Sequence, residues 1–500
     1  MLSVNCPKCG AENADTCRVC RNCGQTLEQE AVQKRKFSKL AIISLVLGIL
    51  SLLFYILIGI PAIICSIISL RKIRKSGGLL KGRGLSIAGL SMSLISTFFL
   101  FPIFLIWSFD APPIPNDYTI ADLRSAPPEC DETYQLLKSL NLEKIEDPLS
   151  PSDTNEQDRK KISETLQKGN LEEIRQMILS KSDQINQAWT KAQKSRDIIK
   201  QLNSFAEIAD LTTPSLDADV SFLRNLRRIS EIYQSYTLLQ LGLGNYEAAT
   251  ENLIEIDSVF RKLSVNARGL VPKLVCYAVL SKNIKTANFI ANNPKTDIGA
   301  IELLSNHFKP FGYETVSLRN CFINEYLMFR NTLDTHFKIL ADRRIILFKR
   351  NSSLRAYRNL CNAMINYERG ATNENQFLSV WPKFFPFRTP RVNIRENTIP
   401  FQYRCYNLIG ALMIDILTPA FDLVIKIKTR MGIEDDILQI VLDKRLNKEI
   451  NLKARAYSNG YIIDINVKRI ISPGPDGKKG TDDDITLPIN PEVLNLIKTP

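Results

Sequence analysis

From Leu40 to Leu70 the chain runs for 31 residues without a charge, LAIISLVLGILSLLFYILIGIPAIICSIISL, and from Gly84 to Phe109 it does so for another 26. A helix crossing the bilayer core needs about 20 such residues, so both blocks predict membrane helices. The first block begins too late and is too long for a secretory signal. As one helix it would be about 46 Å long against a hydrocarbon thickness of about 30 Å. Gly59, Ile60 and Pro61 interrupt it, and proline removes a helical hydrogen bond. Two geometries are therefore open, a kinked single span or a hairpin with a short second leg. Lys34, Arg35, Lys36 and Lys39 precede the block, and Arg71, Lys72, Arg74, Lys75, Lys81 and Arg83 separate it from the next. The positive-inside rule sets both clusters on the cytoplasmic side. A hairpin satisfies that rule and exports everything after Phe109, whereas two single spans keep the chain's two ends together. The hairpin, with a cytoplasmic N-terminus and an extracytoplasmic C-terminal domain, is the adopted expectation.

After a proline-rich linker over residues 110–128 the pattern turns helical. Ile174, Ile178, Lys181, Ile185, Ala188 and Ala192 recur every three or four residues, with Met177 and Trp189 widening the apolar face. Ile229 to Phe260 reads as two apolar-periodic helices broken at Gly244 and Asn245. Its LLQLGLGNYEAA resembles a tetratricopeptide turn, in which Gly244, Tyr246 and Ala249 pack the helix pair together. Leu270 to Asn292 offers a degenerate second unit. Stacked helical pairs imply protein partners, and an ordinary helical domain accounts for a single hairpin as well.

The period changes to two near the end. KARAYSNGYIIDINV places an Asn459-Gly460 turn between alternating residues and predicts a hairpin with Leu452 opposite Val467. SPGPDGKKGTDDDITL follows as a loop between Lys468–Ser472 and a short strand at Ile485–Leu487. This strand, loop and strand resemble the calcium-binding end of the major pseudopilins of bacterial type II secretion, with Asp476, Asp482, Asp483 and Asp484 at the carboxylate positions. The cleavage site that opens those proteins is missing, so the resemblance covers the loop alone. Four carboxylates and turn carbonyls would suit calcium, and an exposed Gly/Asp turn accounts for the same residues.

Five of the eleven cysteines fall in the first 23 residues. Cys6 and Cys9 form one C-x-x-C, Cys20 and Cys23 another, and two such knuckles supply four thiolates to one zinc ion. Gly10 and Gly24 suit the tight turns that aim backbone N–H groups at sulfur. The stretch resembles the short zinc ribbon at the N-terminus of many bacterial membrane proteins, over Cys6 to Asn13 and Cys20 to Leu27. Cys17 departs from that pattern, as a substitute ligand or a free thiol. Reduced thiols place the ribbon in the cytosol. The segment from about Ser38 to Phe104 resembles a small bacterial membrane domain of unknown function, on SLVLGILSLL, IPAII, SLRKIRKSGG and KGRGLSIAGL. That resemblance implies a membrane anchor and no activity.

Charge narrows the classes further. Residues 1–109 hold 13 Lys+Arg against 4 Asp+Glu, and the rest 52 against 48, so the basic excess flanks the apolar blocks. Inner-leaflet attraction explains it better than a nucleic-acid groove. His307 and His336 stand beside no metal or catalytic pattern, and no phosphate loop, H-E-x-x-H or nucleophile elbow occurs. The expected fold is multidomain: a zinc ribbon (1–27), an α-helical transmembrane module (28–109), a mainly α-helical soluble domain (129–400), and a helix with a small C-terminal antiparallel β element (401–500). The expected role is a multi-pass, membrane-anchored binding or scaffold protein with zinc and, at the Asp-rich loop, calcium. The alternatives are an extracytoplasmic enzyme with a non-local site and a cytosolic regulator using the ribbon.

Overall fold

The computed structural model describes residues 3–14, 16–27, 36–54, 56–101, 109–142, 145, 171–339, 347–369, 377–379, 391–393, 401–417, 421–453, 460–474 and 477–496. The chain falls into two compact units, Met1–Phe109 and Asp110–Pro500.

In the first unit, β1 (Ser3–Asn5) pairs antiparallel with β2 (Glu12–Ala14). Further on, β3 (Lys36–Phe37) pairs in parallel with β4 (Leu80–Lys81). Between and after them run α1 (Lys39–Phe54), α2 (Ile56–Lys75) and α3 (Arg83–Ile95), the last continued by a π-helical turn, Ser96–Leu100. Helix directions follow from which residues meet. A Cβ on Gly82 would touch Ala41 and one on Gly48 would touch Gly89, so α1 and α3 are parallel. Ser69 and Ser86 hydroxyls lie 2.8 Å apart, while Gly59 abuts Thr97, so α2 is antiparallel to both.

The first apolar block is thus a helical hairpin. Its first leg ends at Phe54 and its second begins at Ile56, five residues before Pro61, so Gly59–Pro61 lies within the second leg. Pro61 sits inside α2. As the sixth residue of α2 it forfeits one backbone bond, that to the Leu57 carbonyl, and the helix continues through it.

The second unit is helical, with a small sheet at its end. Its first stretch, residues 110–128, has no helix beyond a 3-10 turn at Ile120–Asp122, as its prolines require. It is nevertheless clamped. The Asp110 carboxylate accepts from the Asn351 and Ser352 N–H groups (2.7 and 2.9 Å), the Tyr326 hydroxyl donates to Asp117 (2.6 Å), and Arg330 donates to the Tyr118 carbonyl. Helix α4 is Glu129–Ser139. The single periodic stretch at 171–204 divides at Lys181 and Ala192 into α5 (Leu171–Ser180), α6 (Ser182–Lys191) and α7 (Gln193–Ser204). Its predicted apolar face is buried at Ile174, Ile178, Ile185, Ala188 and Ala192.

Helices α8 (Phe222–Leu243) and α9 (Tyr246–Val265) form the predicted helical hairpin, and α10 (Leu270–Ala291) packs beside both. Gly244 terminates α8 at φ 88°, the left-handed conformation that favours glycine. The supposed second tetratricopeptide unit is one continuous helix, so the repeat does not recur. Next come α11 (Ile298–His307), the short α12 (Tyr313–Val316), α13 (Arg319–His336) and α14 (Arg350–Glu368). A two-stranded pair, β5 (Phe377–Ser379) and β6 (Arg391–Asn393), precedes α15 (Phe401–Tyr406), α16 (Leu408–Leu417) and α17 (Phe421–Arg445).

A three-stranded antiparallel sheet closes the chain, β7 (Ile462–Asp464), β8 (Arg469–Ser472) and β9 (Ile485–Pro488), in that order. The predicted hairpin register is corrected here. Asn459 lies outside the described residues, but the Tyr461 N–H donates to the Leu452 carbonyl at 2.8 Å, so Leu452 faces Tyr461 and not Val467. Ile463 instead pairs with Ile470 across β8. Asn288 donates to the Pro488 carbonyl and Asn292 accepts from the Asn490 N–H, tying the sheet to α10.

Candidate metal centre and membrane module

The two N-terminal knuckles share one geometry. In the first, the Cys6 N–H reaches the Ala11 carbonyl and the Gly10 N–H the Cys6 carbonyl (3.0 and 2.9 Å). In the second, the Cys20 N–H reaches Gln25 and the Gly24 N–H reaches Cys20 (2.8 and 3.0 Å). Gly10 and Gly24 take φ of 74° and 69° with nothing near a would-be Cβ, so backbone conformation alone calls for glycine.

These turns bring the sulfurs of Cys6, Cys9, Cys20 and Cys23 within 4.8 Å of one another, with Cys6–Cys23 and Cys9–Cys20 at 3.6 Å. Zn–S bonds of about 2.3 Å set tetrahedrally place sulfurs roughly 3.8 Å apart, so the donor set is of the right size for a metal ion such as zinc. Backbone N–H groups of Cys23 and Asn22 hold the Cys20 thiol down at about 6, and that of Lys8 lowers Cys6. The Gln25 N–H pulls Cys23 the same way, but thiol neighbours led by Cys9, together with burial, outweigh it and push Cys23 up to about 12. A cluster that tolerates some thiolates and resists the last is one that a cation completes. Cys17 stands outside the group of four. Asn13 is the residue whose role the spacing alone did not reveal: its side-chain amide donates to Cys20 Sγ at 3.5 Å and its oxygen accepts from the Arg21 N–H, locking the knuckles together.

The C-terminal aspartates behave otherwise. The Asp484 carboxylate accepts from the Gly480 N–H at 2.7 Å, Asp483 accepts from the Thr481 hydroxyl at 2.6 Å, and Lys479 pairs with Asp464. Asp476 lies outside the described residues. Among those described, the cysteine set is the group of three or more ligands that gathers, and Asp482, Asp483 and Asp484 do not. The calcium reading finds no support: Asp483 and Asp484 serve the turn's own O–H and N–H groups.

The helical module is turned inside out relative to a water-soluble bundle. Its interior holds Ala41, Ser44, Gly48 and Ser51 of α1, Gly59, Ala62, Ser66 and Ser69 of α2, and Ser86, Gly89 and Ser93 of α3. Its outer surface carries Ile42, Ile49, Leu53, Leu57, Ile64, Ile87, Ile95 and Phe98. Two helices, Ile56–Lys75 and Arg83–Leu100, are long and apolar enough to cross a membrane. Helix α1 has 16 residues, about 24 Å.

His307, which stands beside no metal or catalytic pattern in the sequence, lies 2.9 Å from Asp257, which also binds Arg261 (2.6 Å) and Asn283 (3.0 Å) inside the helical core. Burial pushes the Cys276 thiol up to about 12 and raises Cys321 and Cys361 as well, so these thiols are inert.

Residues 40–103 match the model of a family described as Domain of unknown function (DUF4190), which covers the helical module. No curated protein and no solved structure matches the chain.

Proposed function

We propose that the chain is a membrane-anchored binding or scaffold protein. The four cysteines hold a structural zinc ion, the module crosses the bilayer three times, and the large helical unit presents surfaces to protein partners. The observation that carries this is the module's inverted burial. Lipid offers no drive to hide large apolar side chains from it, so helices associate through small residues and hydroxyls, which is the interior found here. The up-down-up arrangement puts Lys36, Lys39, Lys72, Arg74, Lys75, Lys81 and Arg83 at one end, suited to an anionic cytoplasmic leaflet, and releases the chain after α3 at the other. The short α1 is accommodated by local thinning of the bilayer. A four-thiolate site leaves zinc no open position for substrate, which is why its role is structural.

Sealed proteoliposomes test the crossings. Protease added outside should cut any one molecule before Ser38 or after Asp110, never both. Molecules cut at both ends would overturn three crossings, and release by alkaline carbonate would overturn insertion altogether. Metal analysis tests the ribbon: one zinc per chain, lost in Cys6→Ser or Cys20→Ser and kept in Cys17→Ser. Zinc lost with Cys17 and retained without Cys20 would refute the ligand set.

A further inference from the structure

The large unit contains a cavity of about 320 Å³ that the zinc and membrane readings do not use. Three arginines from distant parts of the chain line it: Arg124, just beyond the 3-10 turn, Arg319, the first residue of α13, and Arg369, which caps the C-terminus of α14. Glu314 is the one carboxylate among its lining residues. Arg124 is divided between Glu314 at 3.0 Å and Glu207 at 3.6 Å. The other two guanidiniums donate to neutral oxygens, Arg319 to the Asp122 backbone carbonyl at 3.0 Å and Arg369 to the Tyr313 hydroxyl at 3.2 Å, while the Asp122 and Glu368 carboxylates act on them through charge. Glu368, the carboxylate beside Arg369 in sequence, is already taken by Lys428 and the Leu318 N–H, both at 2.8 Å.

The lining itself carries three positive charges against one negative, with the carboxylates of Asp122, Glu207 and Glu368 set just behind it. Surface arginines ordinarily spread into solvent, because like charges gathered around one cavity repel. Here carboxylates hold Arg124, and a backbone carbonyl and a hydroxyl hold Arg319 and Arg369, with fork-shaped donors left over on the last two. A guanidinium fork matches a carboxylate or phosphate in plane and spacing, and several such forks around a small cavity select a compact anion. The volume is at the lower end of small-molecule sites, enough for a short diacid or a phosphorylated fragment and too small for a dinucleotide.

We infer that this cavity binds a small organic dianion through Arg319 and Arg369, with Arg124 steered by Glu314. The site goes beyond the scaffold reading and stands without it. The test uses the full chain in detergent, with melting and calorimetric titration against inorganic phosphate and against succinate, at an ionic strength matched with sodium chloride. One or both anions should raise the melting temperature by a few degrees over chloride. The double variant Arg319→Gln/Arg369→Gln should weaken binding at least tenfold, and Glu314→Gln should tighten it. Phosphate alone would mark a phosphorylated ligand, succinate alone a dicarboxylate, and both a site that reads charge and size. No rise above chloride with either anion would overturn the proposal, as would unchanged affinity in the double variant.

Discussion

The helices of residues 39–101 and those of 171–445 are built from the same apolar vocabulary and use it in opposite directions. In the first set Leu57 is 77% exposed while Ser66 and Ser69 are sealed. In the second, Tyr233, Phe260, Tyr277 and Phe322 are sealed, and the buried charges are paired or bound to backbone, as Asp257 is with Arg261 and His307 and as Lys273 is with the Thr315 carbonyl. On the membrane reading proposed above, the difference is one of solvent. Water rewards hiding large side chains, whereas lipid is indifferent to them and leaves close packing and hydrogen bonds to hold helices together.

The largest effect that would separate the two regions is side-chain truncation. Phe260→Ala in α9 should cost about 3–5 kcal/mol, because a fully enclosed ring leaves a cavity. Leu57→Ala in α2 should cost less than about 0.5 kcal/mol in detergent, since it removes no protein contact of consequence. Denaturant midpoints of the two variants check this. A large loss at Leu57 would mean that the module's outer face is covered by protein rather than lipid.

Next in size is a charge effect confined to the large unit. Glu325 of α13 is buried, and burial pushes its carboxyl up to about 7, although an N–H of Leu270 pulls the other way. A carboxyl raised in the folded state carries no penalty below about pH 4.5, where both states are protonated. The penalty grows between about 4.5 and 7 and is then constant, on the order of 3 kcal/mol. Glu325→Gln should therefore stabilise the chain at pH 8 and leave it unchanged at pH 4. Equal effects at both values in urea unfolding would show that the group is not desolvated.

How much of this was legible beforehand follows the range of each signal. The knuckles could be read because all four ligands lie within 18 residues with glycines at the turns. The long apolar helices could be read from the length of the uncharged blocks alone. The interruption read at Gly59–Pro61 does not end a helix because α2 gives up a single backbone bond at Pro61 and continues, whereas proline and glycine in sequence signal a break. Asp482 to Asp484 looked like ligands because composition cannot tell a carboxylate aimed outward from one accepting its own loop's N–H. The Arg124, Arg319 and Arg369 cavity had no local signature, since its parts lie up to 245 residues apart and only helix packing brings them together.

The smallest test compares two glycines that are needed for different reasons. A Cβ on Gly48 of α1 would lie 2.8 Å from Gly89 Cα, backbone against backbone, so Gly48→Ala must push α1 and α3 apart, at about 1–3 kcal/mol. Gly244 has nothing within 4 Å and is needed only for its φ of 88°, so Gly244→Ala should cost about 1 kcal/mol. Asparagine separates the two causes. It tolerates the left-handed region, so Gly244→Asn should recover most of the stability lost with alanine, while Gly48→Asn, bulkier at a closed contact, should be worse than Gly48→Ala. Melting temperatures of the four variants, read for the whole chain in one detergent, decide it. Rescue by asparagine at Gly48 would mean that the α1–α3 contact is loose, and the module would then lack the close small-residue packing on which its membrane reading depends.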